Sequence, residues 1–506
     1  MHNNVIDYLN NIVRIKPDKT AYSDGTVSLS FSDVYRISGS IGTYIAKKGI
    51  YKKPIVVFMS KSPMEVATFL GVVSAGCFYV PIDEEMPADR IKLILDNVCT
   101  PLIICDRDTA DKASDLQRSG MDVILYDNIV ADTLRDDAIL KEIHDKAIDI
   151  DPIYIVFTSG STGVPKGVVA CHRSVIDYIE QLSEVLDFNE NTVFGNQSPL
   201  YFDACLKELY PTLKFGATDY LIPKQLFSTP YMLIEYLNEH KINTICWVVS
   251  ALTMVSAFST FDDIKPEYLH TIAFGSEVFP IKQFKIWKET LPDATFTNLY
   301  GPTEGTGMCC YYRVNREFAD DEPIPIGRPF DNREILLIKD DDTLAGEGEE
   351  GEICIRATSV TLGYYNDPER TAAVFTQNPL NKAYPEIIYR TGDIGRYNDK
   401  GELIYISRKD YQIKHMGHRV ELGEIEADVD AMDVIKMAAC IYDNDKKLII
   451  LYYIGDIEAR ELEGALKEKL PRYMLPGRTF KLDSMPFTGN GKIDRVTLKK
   501  MYLGEA

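Results

Sequence analysis

Apolar and polar positions along the chain follow two alternating periods. PIVVFMS (54–60), FYVPID (78–83) and PLIICD (101–106) are short, nearly continuous apolar runs with the length of buried strands. PMEVATFLGVVSAG, after the first of them, has helical spacing. TICWVV (244–249), TIAFG (271–275) and TFTNLY (295–300) repeat the strand pattern. This alternation predicts an α/β fold, a sheet with crossover helices. From about 320 to 409 the runs are short, β-rich and punctuated by Gly and Pro, which predicts a small β-barrel or meander. Beyond Asp410 a helical stretch, ELGEIEADVDAM, precedes KMAACIYD and KLIILYYIG as paired strands and then another helix. This predicts a separate small α+β domain over 410–506, after an N-terminal domain over 1–409.

One stretch carries recognisable chemistry. In YIVFTSGSTGVPKG (154–167) a strand-like run opens into small hydroxyls and glycines, closed by Lys166. Glycines let backbone N–H groups turn toward an anion, hydroxyls add neutral donors, and the lysine adds a point charge. Thr158, Ser159, Gly160, Ser161, Thr162, Gly163 and Lys166 are therefore candidates to bind a di- or triphosphate. The stretch is not a GxxxxGK[ST] loop, because Gly167 follows the lysine.

Charge and cysteine usage exclude several classes. The net charge of -21 opposes a nucleic-acid footprint and binding to anionic membranes. Residues 410–506 hold 15 basic and 17 acidic residues, so nearly all of the negative charge lies in 1–409. The near-neutral tail is free to meet an acidic partner. The ten cysteines form no CxxC pair, which argues against a zinc site and fits a reducing cytoplasm. The opening MHNNVIDYLNNIV does not read as a secretory signal, and no apolar run reaches the length of a membrane span.

The phosphate stretch resembles the signature of the adenylate-forming superfamily, which includes adenylation domains of nonribosomal peptide synthetases, acyl-CoA synthetases and luciferases. Further motifs follow in family order: SAGCFYVPID (74–83), NLYGPTE (298–304), GYYNDPERT (363–371), YRTGDIG (389–395), SRKDYQIKHMGHRVELGEIE (407–426) and NGKIDR (490–495). The resemblance implies two α/β subdomains plus a small β-barrel in the N-terminal domain, and a mobile C-terminal lid that turns on a hinge at Asp410. It implies that Tyr300 stacks on adenine, that Asn298 bonds its amino group, and that Gly301 belongs to the same site. It assigns Thr303 to the α-phosphate, Glu304 to Mg²⁺, Asp393 to the ribose hydroxyls, Arg408 to the ribose or phosphate region, and Lys492 to the adenylation transition state. Thr303, Glu304 and Lys492 are thus the expected catalytic groups, with ATP and Mg²⁺ as cofactors. Ser407 departs from the glycine usual before the arginine.

Asp203 stands where amino-acid-activating members hold the substrate ammonium, which fatty- and aryl-acid enzymes do not need. It also suits the N-cap of the following helix. The side-chain pocket implied by the resemblance is Ala204, Lys207, Val249, Ile272, Phe274, Leu299, Gly307 and Met308. Phe274 narrows it. Lys207 either points inward, where an acidic substrate would match it, or outward into solvent. The expected activity is formation of an aminoacyl-AMP with release of pyrophosphate. Transfer then follows to the phosphopantetheine thiol of a carrier, expected to be a separate protein because no carrier segment follows NGKIDR. Acyl- or aryl-CoA ligases and D-alanine–carrier ligases are the enzyme alternatives. The D-alanine enzymes tend to have Cys where Phe274 stands. A non-catalytic scaffold is the remaining rival.

Overall fold

The computed structural model describes residues 2–159, 164–320, 322–409, 412–487 and 493–504. Contacts divide the chain into two compact units. The first comprises Met1–Glu84, Val98–Val156 and Gly167–Lys409; the second comprises Glu85–Asn97, Phe157–Lys166 and Asp410–Ala506.

Two large sheets organise the first unit. One has nine strands; its interior, from Thr20–Ser23 through Thr218–Leu221, Val193–Asn196, Thr244–Val248 and Thr271–Gly275 to Thr295–Tyr300, is parallel. Antiparallel edge strands, Ser28–Ser30 on one side and Cys310–Arg313 on the other, flank it. The other sheet has six strands, in the order Asp122–Leu125, Leu102–Cys105, Pro54–Phe58, Phe78–Pro81, Pro152–Thr158, Lys166–Cys171. Strands buried on both faces explain the continuous apolar runs at PIVVF and TICWV, all of whose residues are buried. Local sequence starts the crossover helices. Helix Phe31–Lys47 opens on Ser30, whose hydroxyl accepts from the Asp33 N–H while the Asp33 carboxylate accepts from the Ser30 N–H.

The β-rich stretch forms a five-stranded antiparallel sheet. Arg333–Ile338 pairs with Gly351–Ala357, which pairs with Ile387–Tyr397; that long strand also takes Phe375–Gln377 and Leu403–Arg408. Among the described residues this pairing does not close into a ring, so the segment is an open meander with one long central strand rather than a closed barrel.

The second unit has its own core. A hairpin, Gln412–His415 and His418–Glu421, turns through Met416 and Gly417, both at positive φ, and leads into helix Leu422–Asp430. A three-stranded sheet, Ile435–Asp443, Leu448–Gly455 and Arg478–Lys481, packs with helix Ala459–Lys469 through Leu451, Tyr453, Leu462 and Leu466. Within this unit Arg90, on helix Ala88–Val98, forms a buried ion pair with Glu424. Among the described residues no helix is long and apolar enough to cross a membrane, and no cluster of His, Cys, Asp and Glu is arranged to hold a metal.

Candidate active site

Strands Thr271–Gly275 and Thr295–Tyr300 end side by side, where open parallel sheets gather ligands. Tyr300 is the last residue of its strand, and the chain turns at Gly301 and Pro302 into the short helical turn Thr303–Gly305. A Cβ on Gly301 would lie 2.2 Å from the Gly307 carbonyl oxygen and 2.6 Å from Met308 Cα. Only glycine lets the returning segment pass this close.

Three groups meet at the strand end. The Tyr300 hydroxyl donates to Asp393 Oδ2 at 2.5 Å. Arg408 Nη1 donates to Asp393 Oδ1 at 2.7 Å, and its Nη2 to the Thr391 carbonyl at 3.1 Å. Sheet register sets this up, since Asp393 and Arg408 are direct partners on adjacent antiparallel strands. Burial, reinforced by Asp393, raises the Tyr300 hydroxyl well above the usual phenol range, so it stays a donor. Asp393 keeps lone pairs for further O–H donors, because a carboxylate accepts about four hydrogen bonds. Asn298 directs its amide nitrogen to the Pro325 and Ile324 carbonyls, at 2.9 and 3.4 Å. Its Oδ1 remains an acceptor, suited to an amino group.

Thr303 and Glu304 occupy the turn. The Thr303 hydroxyl donates to Asp203 Oδ1 at 3.2 Å. Glu304 is fully buried, and the Tyr364 hydroxyl donates to its Oε1 at 2.6 Å. Asp203 begins the turn Asp203–Cys205, which runs directly into helix Leu206–Phe215. Asp203 is not a side-chain cap of that helix, so the capping alternative falls away. Burial is the largest influence on the Asp203 carboxyl and raises its pKa; the Lys207 charge, the Thr303 hydroxyl and the Gly307 N–H oppose it. An arriving ammonium would favour its charged form.

Lys207 points inward. It is 3% exposed, against the solvated alternative. Leu299 and Met308 share one apolar cluster with Leu206 and Cys205, on the side of the sheet that helix Leu206–Phe215 covers. Ala204 is half-buried beside Asp203, and Gly307, at φ +75°, leads into Met308. Ile272, Phe274 and Val249 belong instead to the cluster on the opposite face, where Phe274 packs edge-on against Phe279 at 5.0 Å. Strand alternation is the reason: Phe274 is in register with Asn298, and Leu299 with Gly275, one residue along. The structure therefore does not bring Ile272, Phe274 and Val249 together with Lys207.

The phosphate-loop residues lie in the second unit. Thr158 and Ser159 are buried; Ser159 donates to the Arg419 carbonyl at 2.9 Å, and the Thr158 hydroxyl has no hydrogen-bond partner among the described residues. Lys166 is half-buried at the start of strand Lys166–Cys171. Gly160, Ser161, Thr162 and Gly163 of the loop, Asp410 and Lys492 lie outside the described residues.

Two groups at the site have no counterpart in the sequence reading. Tyr364, inside GYYNDPERT, orients Glu304; its presence in a family motif was the available signal. Arg333 is buried between Asp177, at 3.2 Å, and the Met308 carbonyl, and so pins the returning segment. Nothing in its local sequence marks it.

Residues 9–365 match the family model described as AMP-binding enzyme. The chain is 32% identical over 488 residues to tyrocidine synthase 1 of Brevibacillus parabrevis, matching with 95% of its own length but only 43% of that protein. It is 31% identical over 508 residues to the D-alanine–D-alanyl carrier protein ligase of Bacillus cereus (strain Q1), covering 95% of this chain and 96% of that one. Among solved structures, the Vibrio cholerae adenylation domain AlmE, in complex with glycyl-adenosine-5'-phosphate, superposes with a TM-score of 0.85 at 20% identity, covering 99% of this chain and 98% of that one. The o-succinylbenzoate CoA synthetase of Bacillus subtilis superposes with a TM-score of 0.84 at 19% identity, covering the same shares. Those two likenesses establish the fold alone. The family match over most of the chain and the full-length relatives establish membership: the chain belongs to the AMP-binding enzymes, the adenylate-forming ligases.

Proposed function

We propose that this ligase activates an amino acid as its aminoacyl-AMP, releasing pyrophosphate from ATP, and then passes the aminoacyl group to the phosphopantetheine thiol of a carrier protein. The observation that carries the choice of an amino acid is Asp203. A half-buried carboxylate, held by Thr303 and beside the candidate nucleotide site, suits a cation. The substrate α-ammonium supplies one, whereas a fatty or aryl acid would leave the carboxylate unmatched. Relatives named as D-alanine–D-alanyl carrier protein ligases run the length of the chain, which supports transfer to a carrier.

In this reading the Tyr300 ring and the Asn298 carbonyl oxygen take adenine, and Asp393, steadied by Tyr300 and Arg408, takes the ribose hydroxyls. The loop of Thr158, Ser159, Gly160, Ser161, Thr162, Gly163 and Lys166 holds the outer phosphates. Thr303 faces the α-phosphate. Glu304 with its neighbouring hydroxyls suits a hard, oxygen-seeking cation, and Mg²⁺ is the fitting ion. Bound there, Mg²⁺ would neutralise charge on the phosphate oxygens. Lys492 places an ammonium against the charge that develops as the substrate carboxylate attacks phosphorus. Residues 410–506 form the lid that turns at Asp410, within a soluble, cytoplasmic enzyme.

Mass spectrometry tests both steps. Incubation with ATP, Mg²⁺ and an amino-acid mixture should yield an aminoacyl-AMP, and adding a phosphopantetheinylated carrier should yield its aminoacyl thioester. A product formed on coenzyme A from acids lacking an amino group, with none from amino acids, would refute the proposal.

A further inference from the structure

Helix Leu206–Phe215 buries a cation that no described residue hydrogen-bonds. Lys207 is 3% exposed, yet its ammonium makes no hydrogen bond or ion pair with any described residue. A lone buried ammonium is costly, so it marks a place built for an anion. The neighbouring carboxylate on the same helix does not serve. Glu208 is fully buried, accepts from Asn196 Nδ2 at 3.2 Å and makes no ion pair with Lys207, and burial raises its carboxyl pKa.

A second unpaired donor faces the same neighbours. The Tyr178 hydroxyl is buried without a hydrogen-bond partner among the described residues. Its ring lies against the backbone at Gly307, where an added Cβ would sit 2.7 Å from the ring and 3.0 Å from the hydroxyl oxygen. The Gly307 N–H is in turn one of the groups that lower the Asp203 carboxyl pKa. Tyr178 and Lys207 are both electrostatic neighbours of Asp203, Glu208 and Cys246. Two donors without a hydrogen-bond acceptor among the described residues therefore both neighbour the carboxylate assigned above to the α-ammonium.

Spacing gives these charges a matching ligand. Asp203 and Lys207 are four residues apart across a continuous helical run, which puts them on one face with Cβ atoms roughly 5–6 Å apart. Aspartate- and glutamate-type amino acids carry an ammonium on Cα and a carboxylate one or two methylenes beyond it. We propose that the amino acid activated by this chain has an acidic side chain, whose carboxylate accepts from Lys207 and from the Tyr178 hydroxyl. The inference rests on the amino-acid reading above. Neutral side chains, including the amides, leave the buried ammonium unmatched and are rejected.

Pyrophosphate exchange across a panel of aspartate, glutamate, asparagine, glutamine and alanine, in both configurations, tests this with the unaltered enzyme. An acidic member should exceed its own amide in kcat/KM by about 100-fold. Lys207→Met should lose about 100-fold with the acidic substrate while changing the neutral ones by only a few fold, and Tyr178→Phe should lose about ten-fold. A wild-type preference for a neutral amino acid overturns the proposal, and so does a Lys207→Met enzyme that loses all amino acids alike. Should that variant not fold, the wild-type panel still decides. An enzyme that exchanges with no amino acid refutes the amino-acid reading itself, a distinct failure.

Discussion

The Tyr300 hydroxyl sits 2.5 Å from Asp393 Oδ2, joining the end of the large parallel sheet to the centre of the antiparallel meander. Arg408 grips the other oxygen of the same carboxylate at 2.7 Å. Asp393 is thus fixed from both sides before a ribose arrives, which reduces what binding must order.

Tyr300→Phe keeps the ring for stacking and removes one of the two clamps. A hydrogen bond to a charged group contributes about 1.5–3 kcal/mol. The KM for ATP should rise about ten-fold, with a smaller change in the KM for the amino acid. Steady-state exchange kinetics with each substrate varied in turn check this, and equal effects on both would remove the ribose assignment for Asp393.

Tyr364 acts one step behind Glu304. Its hydroxyl is 2.6 Å from the buried carboxylate, the relation of an orienting partner to a metal ligand. Tyr364→Phe should raise the Mg²⁺ concentration for half-maximal exchange about ten-fold while the thermal midpoint without metal moves little. An unchanged Mg²⁺ requirement would take Glu304 away from the metal.

These two groups show what the sequence makes legible. The α/β order, the strands ending at Gly275 and Tyr300, and the residues of NLYGPTE and YRTGDIG could all be read from apolar runs and motifs, because they are local. The pairing of Tyr300 with Asp393 joins residues 93 positions apart, and no periodicity reports that. Phe274 was misplaced for a related reason. An apolar strand buried on both faces gives no alternation, so neighbouring residues look equivalent until register assigns their sides. Tyr178 reads as one more core aromatic on a helix, and only its unpartnered hydroxyl distinguishes it. Lys207 was ambiguous because burial depends on what the rest of the chain places over it.

His172 links stability to pH. It is buried at the start of helix His172–Val185, its Nδ1 accepts from the Val5 N–H at 3.2 Å, and burial pushes its pKa down from 6.5 to about 4. A histidine whose folded value lies below its unfolded value takes up its proton more readily when unfolded. Its stabilising contribution is complete above pH 6.5 and is lost as pH falls toward about 4. The stability difference between wild type and His172→Gln should therefore shrink by about 3 kcal/mol across that window. Urea unfolding of both proteins at several pH values measures it, and parallel curves would show that His172 is not the group responsible.

Asp203 bears most directly on the central claim. The decisive measurement compares pyrophosphate exchange supported by the preferred amino acid with that supported by its analogue lacking the α-amino group, in wild type and in Asp203→Asn. The wild type should prefer the amino acid by about 100-fold or more, and Asp203→Asn should erase most of that preference. Equal use of the two acids by the wild type would contradict the assignment of this chain as an amino-acid-activating enzyme.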